Sequence, residues 1–123
     1  MVKILIVDDD KDVIEVGKII LQGEGYEVVS ANNREDGMAA VESEKPNLIL
    51  LDVMMEREDD GFIMAQDLRR NGVNTPIIML TNVSKVFGMD FDKDSEMAPV
   101  NEFVEKPIDP ETLKSLVKKH LAN

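Results

Sequence analysis

Three aspartates, Asp8, Asp9 and Asp10, stand in line directly after the apolar residues Ile4, Leu5, Ile6 and Val7. Like charges about 4 Å apart at an effective dielectric near 20 repel by on the order of 4 kcal/mol per pair. Such crowding calls for a cation, a proton or open water. Asp52 closes a second apolar run, Thr81 a third and Lys106 a fourth. Clustered carboxylates suit Mg²⁺, which takes oxygen ligands and keeps several of its waters. An ammonium and a hydroxyl suit the oxygens of a phosphoryl group. Gathered on one rim, these side chains would bind a divalent cation and a phosphoryl group side by side.

The periodicity shows which elements must gather them. Residues 2–7, 26–31, 46–53, 75–81 and 100–107 read as strands. Between the first two, Val13, Val16, Gly17, Ile20 and Leu21 fall on one helical face. A weaker helix covers 34–44, with Asn32 or Asn33 as its N-cap, and another covers 60–72, closed by Gly72. The last helix has Asp109 as N-cap and Pro110 at its first position, where the missing N–H costs nothing. Leu113, Leu116, Val117, His120 and Leu121 share its apolar face. Residues 82–99 should hold one more helix, although the period there is poor and Gly88 interrupts it. Strands alternating with helices imply a parallel sheet covered on both faces, and continuously apolar strands agree. Ligands of such sheets bind beyond the carboxyl ends of the strands, where Asp8, Asp9, Asp52, Thr81 and Lys106 would lie.

Composition narrows the classes. A chain of 123 residues has the length of one domain. A net charge of −11 repels nucleic acids and anionic membranes and attracts basic partners and divalent cations. With no cysteine there is neither a disulfide nor a zinc–thiolate site. The apolar runs are too short to span a membrane or to act as a signal peptide, which makes a cytoplasmic protein the simple reading.

In order along the chain, "VDD", "LLDVMM", "LT" and "EKP" resemble the receiver domain of bacterial two-component response regulators, and the resemblance covers essentially all of it. It implies one receiver domain over 1–123, an α/β fold of the flavodoxin-like, doubly wound type, with a five-stranded parallel sheet in the order 2-1-3-4-5. By position, Asp52 resembles the phosphoacceptor. Asp9 resembles the direct Mg²⁺ ligand, Asp8 a ligand acting mainly through water, and Met54 the donor of a backbone carbonyl. Lys106 would pair with the phosphoryl oxygens and Thr81 would turn its hydroxyl toward them. Phe103 stands where the family has an aromatic switch, and Lys106–Pro107 where it has a cis peptide. The implied donor is a sensor histidine kinase or phosphotransfer protein. Output would come from an unknown downstream protein docking on the face of the fourth helix, fifth strand and last helix. The chain would catalyse only its own phosphorylation and slow dephosphorylation, and would bind neither nucleic acid nor membrane directly.

Plain alternatives exist for several residues. Asp10 and Asp12 suit an N-cap and a first-turn charge better than ligands, and His120 suits a packed boundary position. Phe103 is as readily a static boundary residue. The chain also departs from the family. No proline follows "DVM", the acidic loop to Gly61 is about one residue longer, Asn82 replaces a small residue, and residues 82–99 form a longer segment. Met54 and Val83 are apolar where the family flanks the hydrolytic water, so self-dephosphorylation should be slow. "DFDKDSE" hints at a calcium loop, but Ser95 and Asn101 occupy the places that need glycine and glutamate. Two rival functions remain on the residues alone. One is a receiver-like binding module that ignores phosphate. The other is a haloacid-dehalogenase-like phosphatase with Asp8 as nucleophile and Asp10 as acid/base, disfavoured by length and by the missing late acidic pair.

Overall fold

The computed structural model describes residues 2–53, 55, 60–81, 100–106 and 108–121. The strands are β1 (Lys3–Val7), β2 (Glu27–Ala31), β3 (Leu48–Asp52), β4 (Ile77–Thr81) and β5 (Glu102–Glu105). The helices are α1 (Lys11–Gln22), α2 (Arg34–Glu44), α3 (Asp60–Arg70) and α4 (Pro110–Leu121). All strand pairs are parallel and the sheet order is β2-β1-β3-β4-β5. The central strands β3 and β4 are buried along their whole length, whereas β2 and β5 are only partly so, as edge strands should be. The expected helix within 82–99 lies outside the described residues.

Each face of the sheet has its own core. On one, Ile4, Ile6, Leu48, Leu50, Ile78 and Leu80 pack under α1 and α4. On the other, Leu5, Val7, Ile49, Leu51, Ile77 and Met79 pack under α2 and α3, with Phe103 partly buried against them. Burying these side chains contributes roughly 1.5–3 kcal/mol apiece. Every expected strand forms, and each is shorter than its apolar run. The stripe of α1 is also turned from its expected position. Gly17 and Leu21 are its buried centre, while Val16 stays exposed. Gly17 sets that rotation: a Cβ there would lie 2.8 Å from Ile6 Cδ1, so the helix backbone itself rests on β1.

Caps define the helix starts. Asp10 accepts from Asp12 N, and Asn33, the second of the two candidates, accepts from Asp36 N at 2.7 Å. Asp109 accepts from both the backbone N and the hydroxyl of Thr112. These bonds satisfy first-turn N–H groups that have no partner within the helix. Among the described residues no helix is long and apolar enough to cross a membrane.

Candidate functional site

Parallel register builds the site. Val7 pairs with Leu51, Asp52 with Leu80 and Thr81 with Glu105. Asp8, one residue beyond Val7, therefore comes level with Asp52. Lys106, one beyond Glu105, reaches back toward both. Backbone bonds hold the strand ends: Asp8 N donates to Ala31 O, Val53 N to Leu80 O and Lys106 N to Thr81 O at 2.8 Å.

The Lys106 ammonium donates to Asp8 Oδ2 at 3.0 Å and to Asp52 Oδ1 at 3.2 Å. Asp8 is 0 % exposed and Asp52 5 %, so both carboxylates lie out of bulk water and need this charge. Asp8 also accepts from Asp10 N through its other oxygen. Burial alone would pull the Lys106 ammonium below the ordinary lysine value. The hydrogen bond it donates to Asp8 and the charges of Asp52 and Asp8 outweigh it, and the net shift is upward from 10.5. Lys106 is thus a fixed cation at neutral pH.

Asp9 is exposed on the same rim. One carboxylate oxygen from each of Asp8, Asp9 and Asp52 can be chosen so that all lie within 4.8 Å of one another. The donors are all oxygen, which suits a hard divalent cation such as Mg²⁺ rather than a soft metal. Beside them, Thr81 is 2 % exposed and its Oγ1 has no hydrogen-bond partner among the described residues. A buried hydroxyl without a partner costs free energy, so this site fits an incoming oxygen-rich group.

Asp8, Asp9, Asp52, Thr81 and Lys106 therefore come together as expected. Phe103 stands apart, level with Met79 on the α2–α3 side. Met54, Asn82, Val83 and Pro107 lie outside the described residues. His120 packs as expected, with its Nε2 3.3 Å from Glu102 Oε2. Asn101 is spent on structure, its Oδ1 accepting from Ile77 N and from Arg69. That removes the last position of the hinted calcium loop.

The roles of two residues beside the site are not visible from composition or period. Asp60, the first residue of α3 as its period places it, is 5 % exposed and paired with Arg34 at 3.3 Å. Gly61 N donates to Val53 O, and a Cβ on Gly61 would fall 2.1 Å from the carbonyl oxygen of Asp52. The only local signal is the Asp-Gly pair at the start of an apolar helical period.

Comparisons with known proteins agree with this geometry. The family model described as "Response regulator receiver domain" matches residues 4–118. The chain is 33% identical over 120 residues to the alkaline phosphatase synthesis transcriptional regulatory protein PhoP of Bacillus subtilis, covering 94% of this chain and 47% of that protein. It is 34% identical over 120 residues to the probable transcriptional regulator ycf27 of Pyropia yezoensis, covering 94% of this chain and 46% of that protein. The chain thus spans about half the length of these relatives. Among solved structures, a two-component response regulator from Clostridium difficile superposes with a TM-score of 0.83 at 28% identity, covering 100% of this chain and 98% of that one. A CheY-like receiver domain protein from Methanospirillum hungatei JF-1 also reaches 0.83, at 29% identity over 99% of this chain and 94% of that one.

Proposed function

This chain belongs to the response regulator receiver family, and from that premise we propose that it is a phosphorylation-driven switch with Asp52 as phosphoacceptor. The observation that carries the proposal is the Lys106 ammonium, seated between Asp52 and Asp8 beside the Thr81 hydroxyl, which has no hydrogen-bond partner among the described residues. In the proposed reaction an oxygen of the Asp52 carboxylate attacks the phosphorus of a phosphohistidine on a histidine kinase or phosphotransfer protein. The P–O bond forms as the P–N bond breaks, the electron pair goes to the imidazole nitrogen, and that nitrogen takes up a proton. The product is a mixed anhydride on Asp52.

Asp8, Asp9 and Asp52 would hold Mg²⁺, with the Met54 carbonyl as a further donor. The chemistry that a bound Mg²⁺ supplies here is neutralisation of charge on the phosphoryl oxygens. Lys106 keeps its proton throughout and offers a second positive charge to the same oxygens. Thr81 would donate its hydroxyl to one of them. Phe103 would turn inward as the β4 end adjusts, altering the face of β5 and α4 on which a downstream protein docks. The rival with Asp8 as nucleophile needs Asp10 as acid/base. Asp10 is the N-cap of α1 and its carboxylate is engaged by Asp12 N.

The deciding experiment is intact mass after incubation with acetyl phosphate, with and without Mg²⁺, for the native chain and Asp52→Ala. The expected outcome is a Mg²⁺-dependent gain of one phosphoryl group by the native chain only. A gain that survives Asp52→Ala removes Asp52 from the role. No gain from acetyl phosphate or from a phosphorylated histidine protein would favour the phosphate-independent binding module.

A further inference from the structure

The helices α2 and α3 are joined turn by turn next to the site. At the first turn Arg34 Nη1 lies 3.3 Å from Asp60 Oδ1, and the Asp60 carboxylate is almost wholly buried. The α3 N-terminus favours that negative charge. At the next turn Gly37 packs closely, since a Cβ there would lie 3.0 Å from both Met64 Cε of α3 and Val7 Cγ1 of β1. Gly61, adjacent to Asp60, rests directly on the Asp52 carbonyl and on Val53 Cα. The joint therefore touches both strand ends that carry buried carboxylates. Val7 immediately precedes Asp8, and Gly61 sits on Asp52 itself.

From this placement we infer that Arg34 is a positioning residue for the phosphoacceptor: by holding Asp60 it keeps the first turn of α3 pressed on the end of β3, and so sets the spacing of Asp52 from Asp8 and Lys106. The inference rests on the reading of Asp52 given above. A buried carboxylate deprived of its cation draws in water or swings outward. Either movement unseats Gly61, and with it the backbone that aims the Asp52 carboxylate. Displacement of a reacting group by about 1 Å costs on the order of a hundredfold in rate, and loss of a residue that orients metal ligands typically costs about ten- to a hundredfold in affinity.

The test compares the native chain, Arg34→Ala, Arg34→Lys and Asp52→Asn. Three quantities are measured: thermal unfolding, Mg²⁺ affinity by titration calorimetry, and the rate of phosphoryl gain from acetyl phosphate at saturating Mg²⁺. Arg34→Ala is expected to bind Mg²⁺ about tenfold more weakly and to react about tenfold more slowly, with Arg34→Lys recovering most of both. A clasp of purely structural importance gives the opposite pattern. Arg34→Ala would then melt lower, yet keep Mg²⁺ affinity and saturated rate within about twofold of native, and this result overturns the inference. If Arg34→Ala does not fold, Asp60→Asn, which keeps the shape and removes the charge, takes its place with the same expectations. A native chain that gains no phosphoryl group refutes the reading of Asp52 instead; the Mg²⁺ affinities of the Arg34 variants then decide the positioning role by themselves.

Discussion

Gly61 is held to glycine by contact rather than by backbone freedom. Its missing Cβ is the space occupied by the Asp52 carbonyl, 2.1 Å from where that atom would be. Gly61→Ala must therefore push the first turn of α3 off β3. Overpacking of this kind costs about 2–3 kcal/mol, to be seen as a lower urea midpoint, and phosphoryl gain on Asp52 should fall with it. Lys106 acts by charge. Lys106→Met removes this cation from the adjacent, buried Asp8 and Asp52, a loss of about 3 kcal/mol. Mg²⁺ should restore part of it, so the stability gap between native and variant narrows as Mg²⁺ is added. A gap that ignores Mg²⁺ would count against a shared metal site. The sign of the pH dependence follows from the upward shift at Lys106. A group whose folded value is raised contributes fully below its ordinary value and loses that contribution as pH climbs through the folded one. The native chain's advantage over Lys106→Met should therefore persist from neutral pH to about pH 10 and shrink above it.

At the scale of elements, caps and register do different work. Asn33 holds the first turn of α2 through Asp36 N, and the same turn carries Arg34. Asn33→Ala should cost about 1 kcal/mol in urea unfolding. If α2 is the clasp described above, the same change should also weaken Mg²⁺ binding; an unaltered Mg²⁺ affinity would confine Asn33 to capping. The starts of α1, α2 and α4 are legible because Asp10, Asn33 and Asp109 are strong capping residues directly before apolar periodic segments. The end of α2 falls at Glu44, as the sequence reading places it, and closes on Lys45 in the left-handed conformation, φ 48°, without the glycine usual there. The rotation of α1 is hidden in the sequence. A 100° step places Val16 near the edge of several possible stripes, and only the contact of Gly17 with Ile6 decides which stripe faces the sheet.

The whole molecule carries its charge of −11 on a compact surface while concentrating buried carboxylates at one rim. Self-repulsion of this size destabilises the folded state and is screened by salt. The screening length falls from about 30 Å at 0.01 M to about 8 Å at 0.15 M. The melting temperature should rise with KCl across that range. A flat response would mean that the surface carboxylates are already compensated locally. Ile19, 65 % exposed, and Val16 are the large apolar side chains left open to solvent among the described residues, both on α1.

What the sequence by itself determined is the set of reactive ends. An apolar run closing on Asp8, Asp52, Thr81 or Lys106 is local information, and parallel strands with polar carboxyl ends put such residues on one rim whatever the details. The helix caps belong to the same class, because a cap acts within four residues. Only the tertiary structure decided the distances. Lys106 and Asp8, 98 positions apart, meet at 3.0 Å because Val7 pairs with Leu51, Asp52 with Leu80 and Thr81 with Glu105. It also decided that Asp60 is a buried ion-pair partner of Arg34, and that Gly61 is the seat of α3 on the strand that ends in Asp52. The physical reason is the same in each case. Register and close packing are set by which surfaces fill one another after long loops have closed, and no periodicity in the chain encodes that fit.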